Sequence, residues 1–200
     1  MKEFAVVGRP NSGKTMFTLN FAGFLNCKKI DITFRSPDGL LNCRHFAIPD
    51  AKKELCDSEW HKTRMVQSTI LKIPLGKAAI SFKLTDTCGV SEEIHSDGAI
   101  RKGMAQTLSV LRGCDFIVHI IDVATLSEEN LNTRGIDQEI YDYGLAKSRY
   151  LLLANKIDLP AGKNNLPKVV GGFNRAKIIP ICAINSQGFQ EVKAYVSRNI

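Results

Sequence analysis

A chain of 200 residues with 44% hydrophobic content suffices for one α/β domain with a sizeable core, and no apolar run approaches the roughly 18 residues that cross a bilayer. Its 27 basic and 20 acidic residues leave a net charge of +7, spread along the chain without a dense block, which favours a polyanionic partner such as RNA or an anionic membrane surface. Cys27, Cys43, Cys56, Cys88, Cys114 and Cys182 follow no secretory signal and several lie in apolar runs, so they read as reduced thiols of a cytoplasmic protein rather than a disulfide scaffold.

In chain order, residues 3–7 form a short apolar strand and residues 14–25 a helix, with Phe17, Phe21, Phe24 and Leu25 at helical spacing. Residues 26–62 carry Ser36-Pro37-Asp38-Gly39, Pro49-Asp50 and mixed charges without a sustained period; they read as a long, irregular, switch-like connection. Residues 66–74 and 79–85, separated by Leu75-Gly76-Lys77-Ala78, predict an antiparallel strand pair. A helix follows at 100–111, closed by Gly113, and then the most apolar strand, 116–121, ending on Asp122. Alternation continues with a helix over 134–146, a strand over 150–154, a short helix over 166–171, a strand over 177–181 and a last helix over 189–198. This order predicts a single domain over 1–200, with a doubly wound, mostly parallel sheet and helices on both faces. Its ligand belongs at the carboxyl ends of the strands.

The chemistry falls at those ends. Gly8-Arg9-Pro10-Asn11-Ser12-Gly13-Lys14-Thr15 fills every fixed position of a phosphate loop and sits between a strand and a helix, as such a loop requires. Without a Cβ at Gly8 and Gly13, backbone N–H groups can wrap a β-phosphate, with Asn11 and Ser12 between them, and the helix dipole faces the same charge. Lys14 reaches the β and γ oxygens and the Thr15 hydroxyl ligates Mg²⁺; Met16 is assigned no role. The loop alone leaves ATPase, kinase and GTPase open.

Asn155-Lys156-Ile157-Asp158 follows the strand over 150–154 at once. The Asp158 carboxylate can take the N1–H and N2–H₂ donors of guanine in a fork and finds no equivalent pair on adenine. Asn155 supports the base edge and neighbouring backbone, and the Lys156 stem lies along the ring. Asp86-Thr87-Cys88-Gly89 ends another strand; Asp86 holds Mg²⁺, usually through water, and the Gly89 N–H touches a γ-phosphate, so loss of that phosphate releases the segment after it. Cys182-Ala183-Ile184 brings backbone N–H groups near the guanine O6.

Taken together, "GRPNSGKT", "DTCG", "NKID" and "CAINSQGFQEV" resemble the translation-factor-class P-loop GTPases, specifically the Era/Obg-like group that includes Der, MnmE and FeoB domains. The resemblance implies a three-layer, six-stranded G domain with one antiparallel strand, and Mg²⁺-dependent hydrolysis of GTP to GDP by in-line attack of water. It also implies a first-switch threonine that closes on Mg²⁺ and the γ-phosphate: Thr63, followed by Arg64, with Thr69 as the fallback. Asn11 stands where Der-, MnmE- and FeoB-like domains use an asparagine to help bind K⁺ beside the phosphates. Val90 stands where Ras-like enzymes carry the glutamine that orients water, so intrinsic turnover is expected to be slow. The catalytic set is therefore Lys14, Asn11, Thr63 and Gly89, and the metal set Thr15, Thr63 and Asp86. Expected partners are GTP as substrate, an RNA or ribosomal particle, and a second copy in a GTP-dependent homodimer. The alternative is a slow-hydrolysing nucleotide-binding module that controls a transporter or partner chain. Cys43, His45, Cys56 and His61 fit no zinc spacing, and His95, Arg101 and Lys102 read as solvated residues.

Overall fold

The computed structural model describes residues 1–56, 65–75, 78–92, 97–126, 135–147 and 149–200. Eight strands run in chain order as β1 (Glu3–Val7), β2 (Lys29–Arg35), β3 (Leu41–Ala47), β4 (Val66–Leu75), β5 (Ala78–Asp86), β6 (Phe116–Asp122), β7 (Tyr150–Asn155) and β8 (Lys177–Ile181). The helices described are α1 (Lys14–Phe24), α2 (Ile48–Leu55), α3 (Gly98–Gly113), α4 (Ile136–Ala146), α5 (Pro160–Gly172) and α6 (Phe189–Asn199).

All eight strands form one sheet in the order β3-β2-β4-β5-β1-β6-β7-β8. The mostly parallel α/β layout agrees with the expectation, but eight strands replace six, and two of them, β3 and β4, run against the rest. The extra pair comes from the segment expected to be irregular. Lys29-Ile30-Asp31-Ile32-Thr33-Phe34-Arg35 alternates outward polar with buried apolar residues, which is the period of a half-buried strand. Ser36 to Gly39 is then the turn of a hairpin, with Gly39 at φ +90 and its N–H on the Ser36 carbonyl at 3.0 Å. Pro49, at the start of α2, fits a helix N-terminus, where no intrahelical donor is lost.

Side chains on the two faces of the sheet build two cores. One gathers Phe17 and Phe21 of α1, Ile48 and Ala51 of α2, and Phe189, Val192 and Val196 of α6. The other gathers Val110 and Leu111 of α3, Ile140 and Tyr141 of α4, and Val169 of α5. Three layers result, and β1, β5, β6, β7 and β8, which are mutually parallel, present their carboxyl ends on one edge. Helix α5 is longer than the predicted 166–171 because Pro160 starts it and Pro167 is accommodated inside it. Among the described residues no helix is long and apolar enough to cross a membrane, and all six cysteines are free.

Candidate functional site

The loop between β1 and α1 is held in conformations that its sequence permits. Gly8 has φ +148, and a Cβ there would lie 2.2 Å from the Ile120 carbonyl oxygen of β6. Gly13, the N-cap of α1 at φ +99, would put a Cβ 2.2 Å from the Asn155 amide nitrogen. Asn11 takes φ +58, a left-handed conformation that asparagine tolerates, and is exposed. The Ser12 hydroxyl is buried with no hydrogen-bond partner among the described residues.

Behind this loop stand two buried charges. Lys14 is 6% exposed and its Nζ donates to the Arg9 carbonyl at 2.6 Å, across the loop. Burial lowers its pKa to about 8, against the opposing charge of Asp86. Asp86, 1% exposed, accepts from the Thr15 hydroxyl through Oδ2 at 2.6 Å, while Oδ1 has no partner among the described residues. Burial raises its pKa to about 6, although the Thr15 hydrogen bond and the Lys14 charge pull it down. An unpartnered buried carboxylate oxygen beside a hydroxyl, with only oxygen donors, is a donor set that fits Mg²⁺ completed by phosphate and water oxygens.

After Asp86 the chain turns back over the loop. The Thr87 hydroxyl donates to the Val6 carbonyl at 2.8 Å, and the Val90 N–H donates to the Gly8 carbonyl at 3.1 Å. Gly89 lies so close to Pro10 that a Cβ would stand 2.7 Å from its backbone nitrogen and Cα. Val90 is buried and offers no polar atom to orient water. Burial pushes the Cys88 thiol up to about 12, so it is inert.

Asn155 joins the remaining parts. Its Nδ2 donates to the Ser12 carbonyl at 2.8 Å, and its Oδ1 accepts from the Ala183 N–H at 2.9 Å. One buried amide thus ties the phosphate loop to the Cys182-Ala183-Ile184 turn. Lys156 adopts φ +70 and its Nζ pairs with the Asp122 carboxylate, while Asp158 and Ile184 are exposed beside it. The structure therefore brings together Gly8, Asn11, Ser12, Gly13, Lys14, Thr15, Asp86 and Gly89 at one end, and Asn155, Lys156, Asp158, Cys182, Ala183 and Ile184 at the other. Thr63, Arg64, His61 and His95 lie outside the described residues. Thr69 is buried inside β4, as a sheet residue. His45 Nδ1 pairs with Asp31 at 2.6 Å, and no group of three metal-ligating side chains occurs among the described residues.

Sequence reasoning missed four residues here. The Asn20 amide, buried in α1, donates to the Ala183 carbonyl at 2.6 Å; a polar residue on the buried stripe of an apolar helix was the available signal. Arg9, Glu92 and Asp137 form an ion-pair network beside the loop, which no local pattern announces.

No protein-family model matches the chain. It is 29% identical over 159 residues to the GTPase Obg of Alkaliphilus oremlandii, covering 76% of this chain and 35% of that protein. It is 27% identical over 123 residues to the tRNA modification GTPase MnmE of Chlorobaculum tepidum, covering 58% of this chain and 23% of that protein. The chain thus spans about a third or less of the length of these curated relatives. Among solved structures, Era of Aquifex aeolicus bound to GDP.AlF4- superposes over 100% of this chain and 57% of that one, with TM-score 0.66 and 22% identity. A structure of Era in complex with MgGDPNP and nucleotides of 16S ribosomal RNA covers 99% of this chain and 56% of that one, at TM-score 0.66 and 23% identity. The G domain of T. maritima FeoB matches over 100% of this chain and 98% of that one, at TM-score 0.56 and 16% identity. The chain is thus similar in sequence to GTPases named Obg and MnmE, and it shares its fold with the Era and FeoB G domains.

Proposed function

We propose that this chain is a G domain that binds GTP, hydrolyses it to GDP and phosphate, and acts as a two-state switch. The observation that carries the reading is the Asn155 amide, which bonds the phosphate loop with one end and the Ala183 turn with the other. It makes a single site out of a loop suited to phosphates and a corner suited to guanine.

Lys14 supplies positive charge at the β and γ oxygens, and burial strengthens that charge's hold on an anion. Thr15 and the free oxygen of Asp86 would hold Mg²⁺, which supplies charge neutralisation to the phosphates when bound. Gly89, against Pro10, offers its N–H where a γ-phosphate would meet it; Thr63 is the first-switch threonine. Asp158, exposed at its corner, discriminates guanine from adenine because adenine would leave the carboxylate's fork unmatched. Asn11 contributes to a K⁺ site beside the phosphates, and an RNA or ribosomal particle reads the GTP form, in keeping with the charge of +7 and the RNA complex of the Era neighbour. A cytoplasmic location accords with six free thiols, and activation through a GTP-dependent homodimer belongs to the same reading.

The second reading, a module that binds but barely hydrolyses, is favoured by Val90, whose apolar side chain is buried and whose N–H is engaged by Gly8. Affinities for GTP, GDP and ATP with Mg²⁺, followed by single-turnover hydrolysis in KCl and in NaCl at rising protein concentration, separate the readings. Guanine nucleotides bound well above ATP, with turnover raised by K⁺ or by concentration, support the switch. Tight binding with no turnover under any condition supports the module, and absence of guanine-nucleotide affinity sinks both.

A further inference from the structure

Beside the phosphate loop lies a group of charged side chains that neither the loop motif nor the base corner uses. The geometry points to a latch, built from Arg9, Glu92 and Asp137, that holds the segment after Gly89 against the phosphate loop and makes Glu92 a positioning residue for the γ-phosphate contact; this rests on the guanine-nucleotide reading above.

Arg9 occupies a variable position of the loop. Its Nη2 meets Glu92 Oε1 at 2.6 Å and its Nε meets Asp137 Oδ2 at 2.5 Å. Glu92 Oε1 also accepts the Ile136 N–H at 2.9 Å, so one carboxylate caps the start of α4 and binds the loop arginine together. Asp137 is anchored from behind: its Oδ1 pairs with His119 Nε2 at 3.0 Å, and His119, fully buried in β6, places its Nδ1 2.7 Å from the Tyr150 hydroxyl. The fixed end of the latch is therefore in the core and the free end is Glu92.

Two further contacts show how closely the parts fit. At Gly135 a Cβ would stand 2.8 Å from Glu92 Oε1 and 3.0 Å from Arg9 Nη2, so only a glycine leaves the pair undisturbed. On the other side, Val90 donates to Gly8 and Gly89 lies on Pro10, so the segment from Asp86 to Glu92 meets the loop at three points, Gly8, Pro10 and Arg9. A nucleotide that touches Gly89 gains from a segment already in place, and one without a γ-phosphate does not. By linkage, whatever the latch contributes to docking appears as preference for GTP over GDP. Arg9 and Glu92 side chains are 36% and 54% exposed, so the pair is solvent-screened and its effect is modest, roughly twofold to fivefold in affinity.

The test measures dissociation constants for GDP and for a non-hydrolysable GTP analogue, both with Mg²⁺, in the wild type, Glu92→Gln and Gly135→Ala. Glu92→Gln removes the charge; Gly135→Ala keeps every charge and pushes the two flexible side-chain ends apart. The expected result is a twofold to fivefold weaker analogue in both variants, with GDP unchanged, and an effect that shrinks at high salt. A ratio of the two constants that stays at the wild-type value in both variants, or an equal weakening of both nucleotides, overturns the latch and leaves the nucleotide reading standing. A wild type that binds no guanine nucleotide removes the reading and the latch with it.

Discussion

Replacing Asp86 by asparagine should make the nucleotide-free protein more stable while disabling the Mg²⁺ site proposed for it. The carboxylate is 1% exposed, only one of its oxygens is hydrogen-bonded, and burial raises its pKa from 3.8 to about 6. Because the folded state binds this proton more tightly than the unfolded chain, Asp86 favours unfolding wherever it is ionised, and stability falls as pH rises from about 4 to about 6. A rise of about two pH units corresponds to about 3 kcal/mol, an upper bound because Lys14 loses a neighbouring negative charge in the variant. Urea denaturation without nucleotide or Mg²⁺ should therefore show Asp86→Asn gaining about 1–3 kcal/mol at pH 7.5, with the advantage falling to about a third of that near pH 4.5. The same variant should bind Mg²⁺–GTP about 10–100-fold more weakly, as expected for a group that orients the metal's water. An equal gain at both pH values, or a loss at pH 7.5, refutes the argument that a desolvated carboxylate is held here against its preference.

Further outcomes follow from the same site. Mg²⁺-dependent nucleotide affinity in the wild type should decline as pH drops through about 6, where Asp86 takes up its proton; titration calorimetry at pH 7.5 and 5.0 checks this, and a flat profile counts against Asp86 as a metal-holding group. Asn155→Ala strips the Ser12 carbonyl and the Ala183 N–H of their shared partner and should lower stability by about 1–3 kcal/mol and weaken every nucleotide, whether or not it carries a γ-phosphate. Gly89→Ala drives a methyl group to 2.7 Å from the Pro10 backbone; the segment must lift off, and GTP-analogue binding should weaken by about 1–3 kcal/mol with GDP little changed. Asp158→Asn should move preference toward xanthine nucleotides, and an unaltered GTP preference in a competition assay would remove Asp158 from base recognition.

The parts of this molecule legible in its sequence are those encoded locally. Gly8 to Thr15 carries its own turn chemistry, and the strand ends at Asp86, Asp122 and Asn155 follow apolar runs whose period is plain. The β2–β3 hairpin was equally present in the alternation from Lys29 to Arg35, but the charges on its outward face and on β3, whose residues 41–45 are exposed, made the stretch resemble a loop. Lys156 has a partner that no local pattern announces: its ammonium is held by Asp122, at the end of the neighbouring parallel strand. The functional residues that escaped are those whose meaning lies in a distant partner. Arg9 meets Asp137 across 128 positions and Glu92 across 83, and Asn20 meets Ala183 across 163. Only the folded sheet makes them neighbours.

Helix α1, which carries Lys14 and Thr15, rests on α6: Phe17, Phe21 and Phe24 surround Phe189 with ring centroids 5.4, 5.7 and 5.8 Å away. During synthesis the loop of Gly8 to Thr15 leaves the ribosome well before the aromatic seat of its helix, which arrives about 170 residues later. Nascent chains should thus acquire nucleotide competence in one late step rather than gradually, and shortening the polypeptide before Phe189 would silence a loop about 170 residues upstream.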